Sequence, residues 1–200
     1  MRNVLAYLYL CSVFSALFCC PAFAQTIEDP KNSIDVFFGR YTTGSMGDSL
    51  NPFTATYEDN YLLAIACDRD FLNPGYRFRL GGEVGLASRF GTPWSAETWG
   101  GVVVRHRGIT IRDWITIAPA LTAGVSLISH PLGVEAKREQ GHDGDATLLF
   151  YFGPEIAISL PRHPRWELVY RLHHRSGADG TLGNMKEGHN ANTLGIRHRF

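Results

Sequence analysis

Cysteine is scarce in this sequence of 200 residues, which contains four, three of them before residue 21. The same N-terminal stretch combines Arg2, an apolar run from Val4 to Cys20 and the small-residue motif Ala22-Phe23-Ala24. These are the three parts of a secretory signal peptide, and we expect residues 1–24 to be removed by cleavage. The mature chain would keep only Cys67, which excludes an intramolecular disulfide.

The sequence also lacks an excess of charge of either sign, because 19 lysines and arginines balance 19 aspartates and glutamates. This balance gives no support to nucleic acid as a partner. After residue 24, no apolar run approaches the roughly 20 residues that a membrane helix needs. A membrane protein with this sequence would therefore cross the bilayer as β-strands.

In place of long apolar runs, the sequence has alternation. From Trp166 to Ser176 the even positions begin with Trp, Leu, Tyr and Leu, whereas the odd positions are mostly charged. Side chains of a strand alternate between its two faces, so one face is apolar and the other polar. In a transmembrane barrel the apolar face meets lipid and the polar face fills the lumen. A soluble periplasmic barrel of the lipocalin type, with its apolar faces inside, is the alternative that this pattern leaves open.

Eight segments qualify as strands, and eight is an even number that closes a small barrel. They are residues 34–42, 56–67, 76–89, 97–107, 114–127, 146–159, 166–176 and 191–200. Short connections at 68–75, 108–113 and 160–165 alternate with long ones at 43–55, 128–145 and 177–190, as in outer-membrane barrels. We predict that residues 25–200 form one all-β domain, an eight-stranded antiparallel transmembrane β-barrel in the outer membrane of a Gram-negative bacterium.

The barrel hypothesis assigns most charged strand residues to the lumen, where they would form structural ion pairs. The residues on inward parity are Arg77, Arg79, Glu83, Arg89, Glu155, Glu167 and Arg171. The last residues, from Thr193 to Phe200, resemble the C-terminal signal that the barrel-assembly machinery reads, with His198 standing where an aromatic residue is usual.

His174 and Ser176 interrupt the apolar face of the seventh predicted strand, near its extracellular end. Two residues apart on one face, their Cβ atoms lie within roughly 7 Å of each other, so the imidazole can act as base for the hydroxyl. Such a base needs a third group that fixes its tautomer. Glu187, in the following loop, is the first candidate for this role and Asp179 the second. Polar side chains are also common at barrel rims, so an interfacial role without catalysis stays open.

The segment from Tyr170 to Ala178, followed by Glu187 and Asn192 to Phe200, resembles the C-terminal end of the lipid A 3-O-deacylase (PagL-like) outer-membrane family. The resemblance implies an esterase in which Ser176 is the nucleophile, His174 the general base and then acid, and Glu187 the orienting residue. The family usually has Asn after the serine, where this chain has Gly177. The Gly177 N–H, Asn190 or Asn192 would then supply the oxyanion contact, and Arg175 is a further candidate for substrate binding.

The expected partners are therefore lipid A or lipopolysaccharide, outer-membrane lipids and the barrel-assembly machinery, while a homodimer stays open. We expect neither a metal nor a cofactor, because His130, His142 and Asp143 lack the spacing of a metal site. A calcium-dependent outer-membrane phospholipase also uses Ser and His, but it is a larger barrel, and this sequence has no convincing acidic calcium cluster. The alternative from another class is a small non-catalytic barrel with a structural or surface-binding role.

Overall fold

A computed structural model describes residues 30–75 and 77–200, so the predicted signal peptide lies outside the described residues. Consecutive long strands pair antiparallel, β1 pairs with β9, and pairing between β4 and β6 closes the barrel. The short strand β5 pairs with the beginning of β6. The strands are β1 Asn32–Thr42, β2 Tyr57–Gly75, β3 Phe78–Phe90, β4 Ser95–His106, β5 Ile109–Ile111, β6 Ile115–Ile128, β7 Leu148–Leu160, β8 His163–Ser176 and β9 Glu187–Arg199. The predicted eight-stranded antiparallel barrel is confirmed.

The outside of the barrel is apolar. Along the strands, exposed aliphatic and aromatic side chains such as Phe38, Leu86 and Ile196 alternate with buried ones. In β8, Trp166 and Leu168 are exposed while Glu167 and Arg171 are buried, as the alternation predicts. An apolar exterior around a charged interior is the arrangement of a barrel that spans a membrane. We call the end with the long loops the extracellular end and the other the periplasmic end, as in barrels of the outer membrane.

The lumen is filled by buried ion pairs. Arg171 donates to Glu83 and Glu155 at 2.6 Å each, and Arg197 donates to Asp35 at 2.6 Å. Because every charge here has an opposite partner, the cost of removing it from water is offset. Five of the seven residues predicted to point inward are buried: Glu83, Arg89, Glu155, Glu167 and Arg171.

The other two predicted lumenal residues lie at the periplasmic rim. Arg79 is half-buried, and Arg77 is exposed in the turn before β3, with a φ of 66°. The prediction for Arg77 is wrong because the strand begins one residue later, at Phe78.

Two strand boundaries and two loops also differ from the predictions. Residues 68–75 extend β2 instead of forming a turn, since Asp68 and Asp70 point inward and accept hydrogen bonds from Arg105 and Arg199. The loop between β6 and β7 contains a helix, α2 (Gly133–His142), and the β1–β2 loop contains a short helix, α1 (Met46–Ser49). Strand β9 begins at Glu187, so this residue is not in a loop. In the described part of the chain, no helix combines the length and apolarity needed to cross a membrane.

Candidate active site on the outer face of the barrel

Four of the predicted site residues meet where β8 ends and β9 begins, at the extracellular end. His174 lies opposite Asn190, and Ser176 lies opposite Glu187, with a register shift between the two pairs. Residues directly opposite each other in an antiparallel pair share a face of the sheet. The antiparallel pairing thus brings together residues that are separated in the sequence by the β8–β9 loop.

His174 is held by Asn190. Its Nδ1 lies 2.5 Å from the Asn190 Oδ1, and the Asn190 Nδ2 donates to the Gly44 carbonyl at 3.0 Å. Because the amide nitrogen faces Gly44, the amide oxygen faces the ring, and Nδ1 must donate the hydrogen bond. This tautomer leaves Nε2 with a free lone pair, which is the form that a general base needs. His174 is only 6% exposed, so its ring is better shielded from the surroundings than the lipid-face position predicts.

Ser176 is partly exposed, and its hydroxyl is bound to the loop that follows it. The Oγ donates to the Lys186 carbonyl at 2.7 Å and accepts from the Ala178 N–H at 3.1 Å. Within the described residues, Ser176 and His174 share no hydrogen bond. A rotation about the Cα–Cβ bond of Ser176 would have to exchange the Lys186 carbonyl for the imidazole.

Glu187 lies opposite Ser176 in the pairing of β8 with β9. Its Oε2 is buried and, within the described chain, has no hydrogen-bond partner. The His174 Nδ1 donates instead to the Asn190 Oδ1, so Asn190 occupies the position that the sequence assigned to Glu187. The orienting role of Glu187 stays a prediction, and Asn190 is a second candidate for it.

Gly177 is fixed by the path of the β8–β9 loop. A Cβ at this position would lie 2.0 Å from the Met185 carbonyl oxygen and 2.5 Å from that of Leu182. The loop then places Ala178 and Asp179 at φ values of 49° and 56°, a left-handed conformation that is costly for residues other than glycine. The absence of Asn after the serine therefore has a structural cause, since no side chain fits there.

Asn192 and Arg175 are less accessible than the sequence suggests. The Asn192 Oδ1 accepts from the Tyr170 hydroxyl at 2.8 Å, and its Nδ2 donates to the Tyr57 hydroxyl at 2.9 Å. Arg175 is fully buried in the lumen, where it donates to Glu135 and to the Ala146 carbonyl. Odd parity directs Arg175 away from His174 and Ser176, so its position does not support the predicted substrate contact.

The fold is shared with proteins of known structure. The outer membrane enzyme PagL is similar with a TM-score of 0.60 and 12% identity, over 84% of this chain and 99% of PagL. The Neisserial surface protein A (NspA) is similar with a TM-score of 0.52 and 10% identity, over 84% of this chain and 97% of NspA. No protein-family model and no curated protein sequence matches this chain. At such identities the likeness establishes the outer-membrane barrel fold alone, which an enzyme and a surface protein both have.

Helix α2 supplies two residues near the site that the sequence did not indicate. The Arg138 guanidinium donates to the Gly188 carbonyl at 2.7 Å and to the carbonyls of Thr43 and Gly44 at 3.1 and 3.0 Å. It thereby joins the β1–β2 loop to β9 beside Asn190. Glu135, on the same helix, is buried in the mouth of the barrel. The sequence of residues 128–145 is typical of a polar loop, and no motif in it distinguishes Glu135 or Arg138.

One acidic cluster in the lumen has the spacing of a metal site. Asp35, Asp68 and Glu83 bring one carboxylate oxygen each to within 4.8 Å of one another. Each of these carboxylates already accepts a hydrogen bond from a buried arginine. The guanidinium groups supply the positive charge that a metal would bring, so the residues do not fit a metal site.

Proposed function

We propose that this protein is an outer-membrane serine esterase that hydrolyses the ester-linked acyl chain at the 3-position of lipid A. One observation carries the proposal: Asn190 holds the His174 ring with Nε2 free, two residues from the partly exposed Ser176. Both residues lie at the extracellular end of an apolar barrel surface. The ester linkages of the outer-leaflet glycolipid reach a comparable depth in the membrane.

In the proposed reaction, the Ser176 hydroxyl leaves the Lys186 carbonyl and donates to the His174 Nε2. Proton transfer to the imidazole accompanies attack of Oγ on the ester carbonyl, which forms a C–O bond and a tetrahedral oxyanion. Collapse of this intermediate breaks the bond to the sugar oxygen, which takes the proton from His174. Water then attacks the acyl-enzyme with His174 as base, and the fatty acid leaves as Ser176 regains its proton.

Two groups can stabilise the charges that develop. The Ala178 N–H already points at the Ser176 Oγ from 3.1 Å, so it lies close to where the oxyanion forms. The Glu187 carboxylate, opposite Ser176, can offset the positive charge of a protonated His174. These contacts favour an oxyanion site of backbone N–H groups in place of the missing asparagine side chain.

The substrate rests on two kinds of support. The sequence around His174 and Ser176 resembles the lipid A 3-O-deacylase family, and the barrel is similar to the outer membrane enzyme PagL. The proposed partners follow from this substrate: lipopolysaccharide, the surrounding outer-membrane lipids and, during biogenesis, the barrel-assembly machinery.

A second candidate function is a non-catalytic barrel with a structural or surface-binding role. The hydrogen bond from the Ser176 Oγ to the Lys186 carbonyl favours it, because this bond keeps the hydroxyl away from His174. The fold similarity to a surface protein is compatible with the same function. In that case His174 and Ser176 are interfacial polar residues.

The deciding experiment is mass spectrometry of lipid A from cells that express the protein or its Ser176→Ala variant. Ser88→Ala is the matched control, since Ser88 also lies towards the extracellular end, on β3. The esterase predicts loss of one hydroxyacyl chain with the parent and with Ser88→Ala, and intact lipid A with Ser176→Ala. Intact lipid A with all three folded proteins, across several lipid A structures, would contradict the proposal and favour the non-catalytic barrel.

A further inference from the structure

The periplasmic end of the barrel carries an exposed patch of arginine and tryptophan. We call it the basic rim and define it as Arg112, Trp114, Arg162, Arg165 and Trp166, all of them exposed. The pairing of Thr116 with Ser159 brings the start of β6 beside the end of β7. The connection that leads into β6 and the connection from β7 to the first residues of β8 are therefore neighbours, and the five side chains belong to one surface.

The charge of this patch is opposite to that of the other end. In the two segments that carry the rim, residues 107–114 and 161–166, Asp113 is the one acidic residue. No ion pair joins Arg112, Arg162 or Arg165 to an acidic side chain of the described chain. In the extracellular loops, exposed acids outnumber exposed lysines; these acids are Asp48, Asp143, Asp145 and Asp179. A site for an anion is thus located at the periplasmic end.

The tryptophans fix the depth of the patch. Trp166 is 55% exposed and lies two residues before Leu168, on the same outward face of β8, and Trp114 is 78% exposed just before β6. Tryptophan prefers the interface between the hydrocarbon and the head groups of a membrane. The three arginines lie in or beside the turns at this boundary, at the level of the lipid phosphates.

We propose that the basic rim binds anionic glycerophospholipids of the periplasmic leaflet. Arginine binds phosphate through several N–H groups, while each tryptophan packs against the glycerol and the upper acyl chains. A soluble polyanion would gain from the arginines but not from two exposed tryptophans at membrane depth. The inference does not depend on the esterase, whose residues lie at the opposite end of the barrel.

The protein provides its own probe for a test. Trp94 and Trp99 are the other tryptophans, and Trp99 is 2% exposed. In a Trp94→Phe background, brominated lipid in nanodiscs quenches mainly the fluorescence of Trp114 and Trp166. The quenching therefore reports on the lipids beside the rim. Competition between brominated phosphatidylglycerol and brominated phosphatidylcholine then gives the relative association constant of the anionic lipid.

We expect phosphatidylglycerol to be preferred by about fivefold or more, the factor that a contribution of ~1 kcal/mol from one surface arginine gives. The variant Arg112→Gln/Arg162→Gln/Arg165→Gln should lose this preference. The control Lys137→Gln/Lys186→Gln, which removes exposed positive charges from the extracellular loops, should keep it. Should the triple variant not fold, raising the salt concentration to about 1 M must weaken the preference of the parent.

An equal association of both lipids with the parent protein would overturn the proposal. So would a preference that survives in the folded triple variant. A third outcome would assign the rim to a different anion. The parent protein would sediment with purified peptidoglycan and the triple variant would not, while the relative association constant of the two lipids equals one.

Discussion

Replacing Glu135 with alanine should release helix α2 from the mouth of the barrel. The Arg89 Nη2 donates to the Glu135 Oε2 at 2.6 Å, and Arg175 donates to the other carboxylate oxygen. All three side chains are fully buried. Glu135 is therefore the anion through which α2 binds two cations of the lumen.

These contacts determine how much of the free energy that holds α2 on the barrel is lost. In the Glu135→Ala variant, the acid that remains beside both guanidinium groups is Glu97, at 3.5 Å from the Arg89 Nε and 3.6 Å from the Arg175 Nε. Removing one partner of a buried ion pair typically costs about 3–5 kcal/mol. A helix of 10 residues is not stable alone, so a loss of this size should unfold α2 without unfolding the strands.

Hydrogen exchange of the peptide that contains residues 133–142 measures this release. A loss of ~3 kcal/mol corresponds to more than a hundredfold faster exchange in α2, with the strand amides unchanged. Lys137→Ala is the control, because Lys137 is exposed on the same helix. Unchanged protection of α2 in Glu135→Ala would refute the reasoning, as would an equal effect of Lys137→Ala.

The same contact predicts a dependence on pH. Burial alone would raise the pKa of the Glu135 carboxyl, but Arg175 and Arg89 outweigh it and hold this pKa below its usual range. A depressed folded-state pKa means that the contribution is complete above the ordinary pKa of glutamate and is lost as the pH falls through the folded value. Protection of α2 should therefore decrease in acid in the parent protein, and this decrease should be absent in Glu135→Gln.

Two further predictions concern the outer face. If the proposed esterase is correct, Gly177→Asn should not raise its rate, because the Cβ would displace the Met185 carbonyl. Faster hydrogen exchange across residues 177–186 should show the resulting disorder. The control Gly141→Asn, with no atom within 4 Å of its Cβ, should leave that loop unchanged. A gain of activity in Gly177→Asn would contradict this. Asn190→Ala should lower the rate of lipid A deacylation about 10- to 100-fold, through loss of the hydrogen bond on His174. A larger loss in Glu187→Gln than in Asn190→Ala, measured on the same lipid A, would assign the orienting role to Glu187.

The alternation of apolar and charged residues was sufficient to predict the barrel, because lipid outside and ion pairs inside both follow parity. The predicted end of β2 is wrong because its polar residues have partners in the lumen. Asp68 and Asp70 have the composition of a turn, but in the barrel they accept hydrogen bonds from Arg105 and Arg199. Helix α2 escaped prediction for a similar reason. It is stabilised by Glu135 in the lumen, a contact between distant parts of the chain, and not by an amphipathic pattern.

The candidate site was predicted in part. The spacing of His174 and Ser176 places both on one face, and the structure keeps them there. The partner of the His174 ring could not be derived, because it depends on the register between β8 and β9. A register that pairs His174 with Asn190 gives the ring an amide neighbour. The sequence instead favoured Glu187, a carboxylate in the stretch that returns to the last strand.

The lumen and the outer site are coupled through the alternation of β8. His173 is bound to Glu97 at 2.8 Å, and Arg175 is bound to Glu135, both inside the barrel. Since neighbouring side chains of a strand point to opposite faces, these inward contacts hold His174 and Ser176 on the outer face. A loss of the inward contacts would let β8 twist at its extracellular end, where no further strand residue follows Ser176. The buried charges therefore do more than fill the lumen: they fix the direction in which the candidate base and nucleophile point.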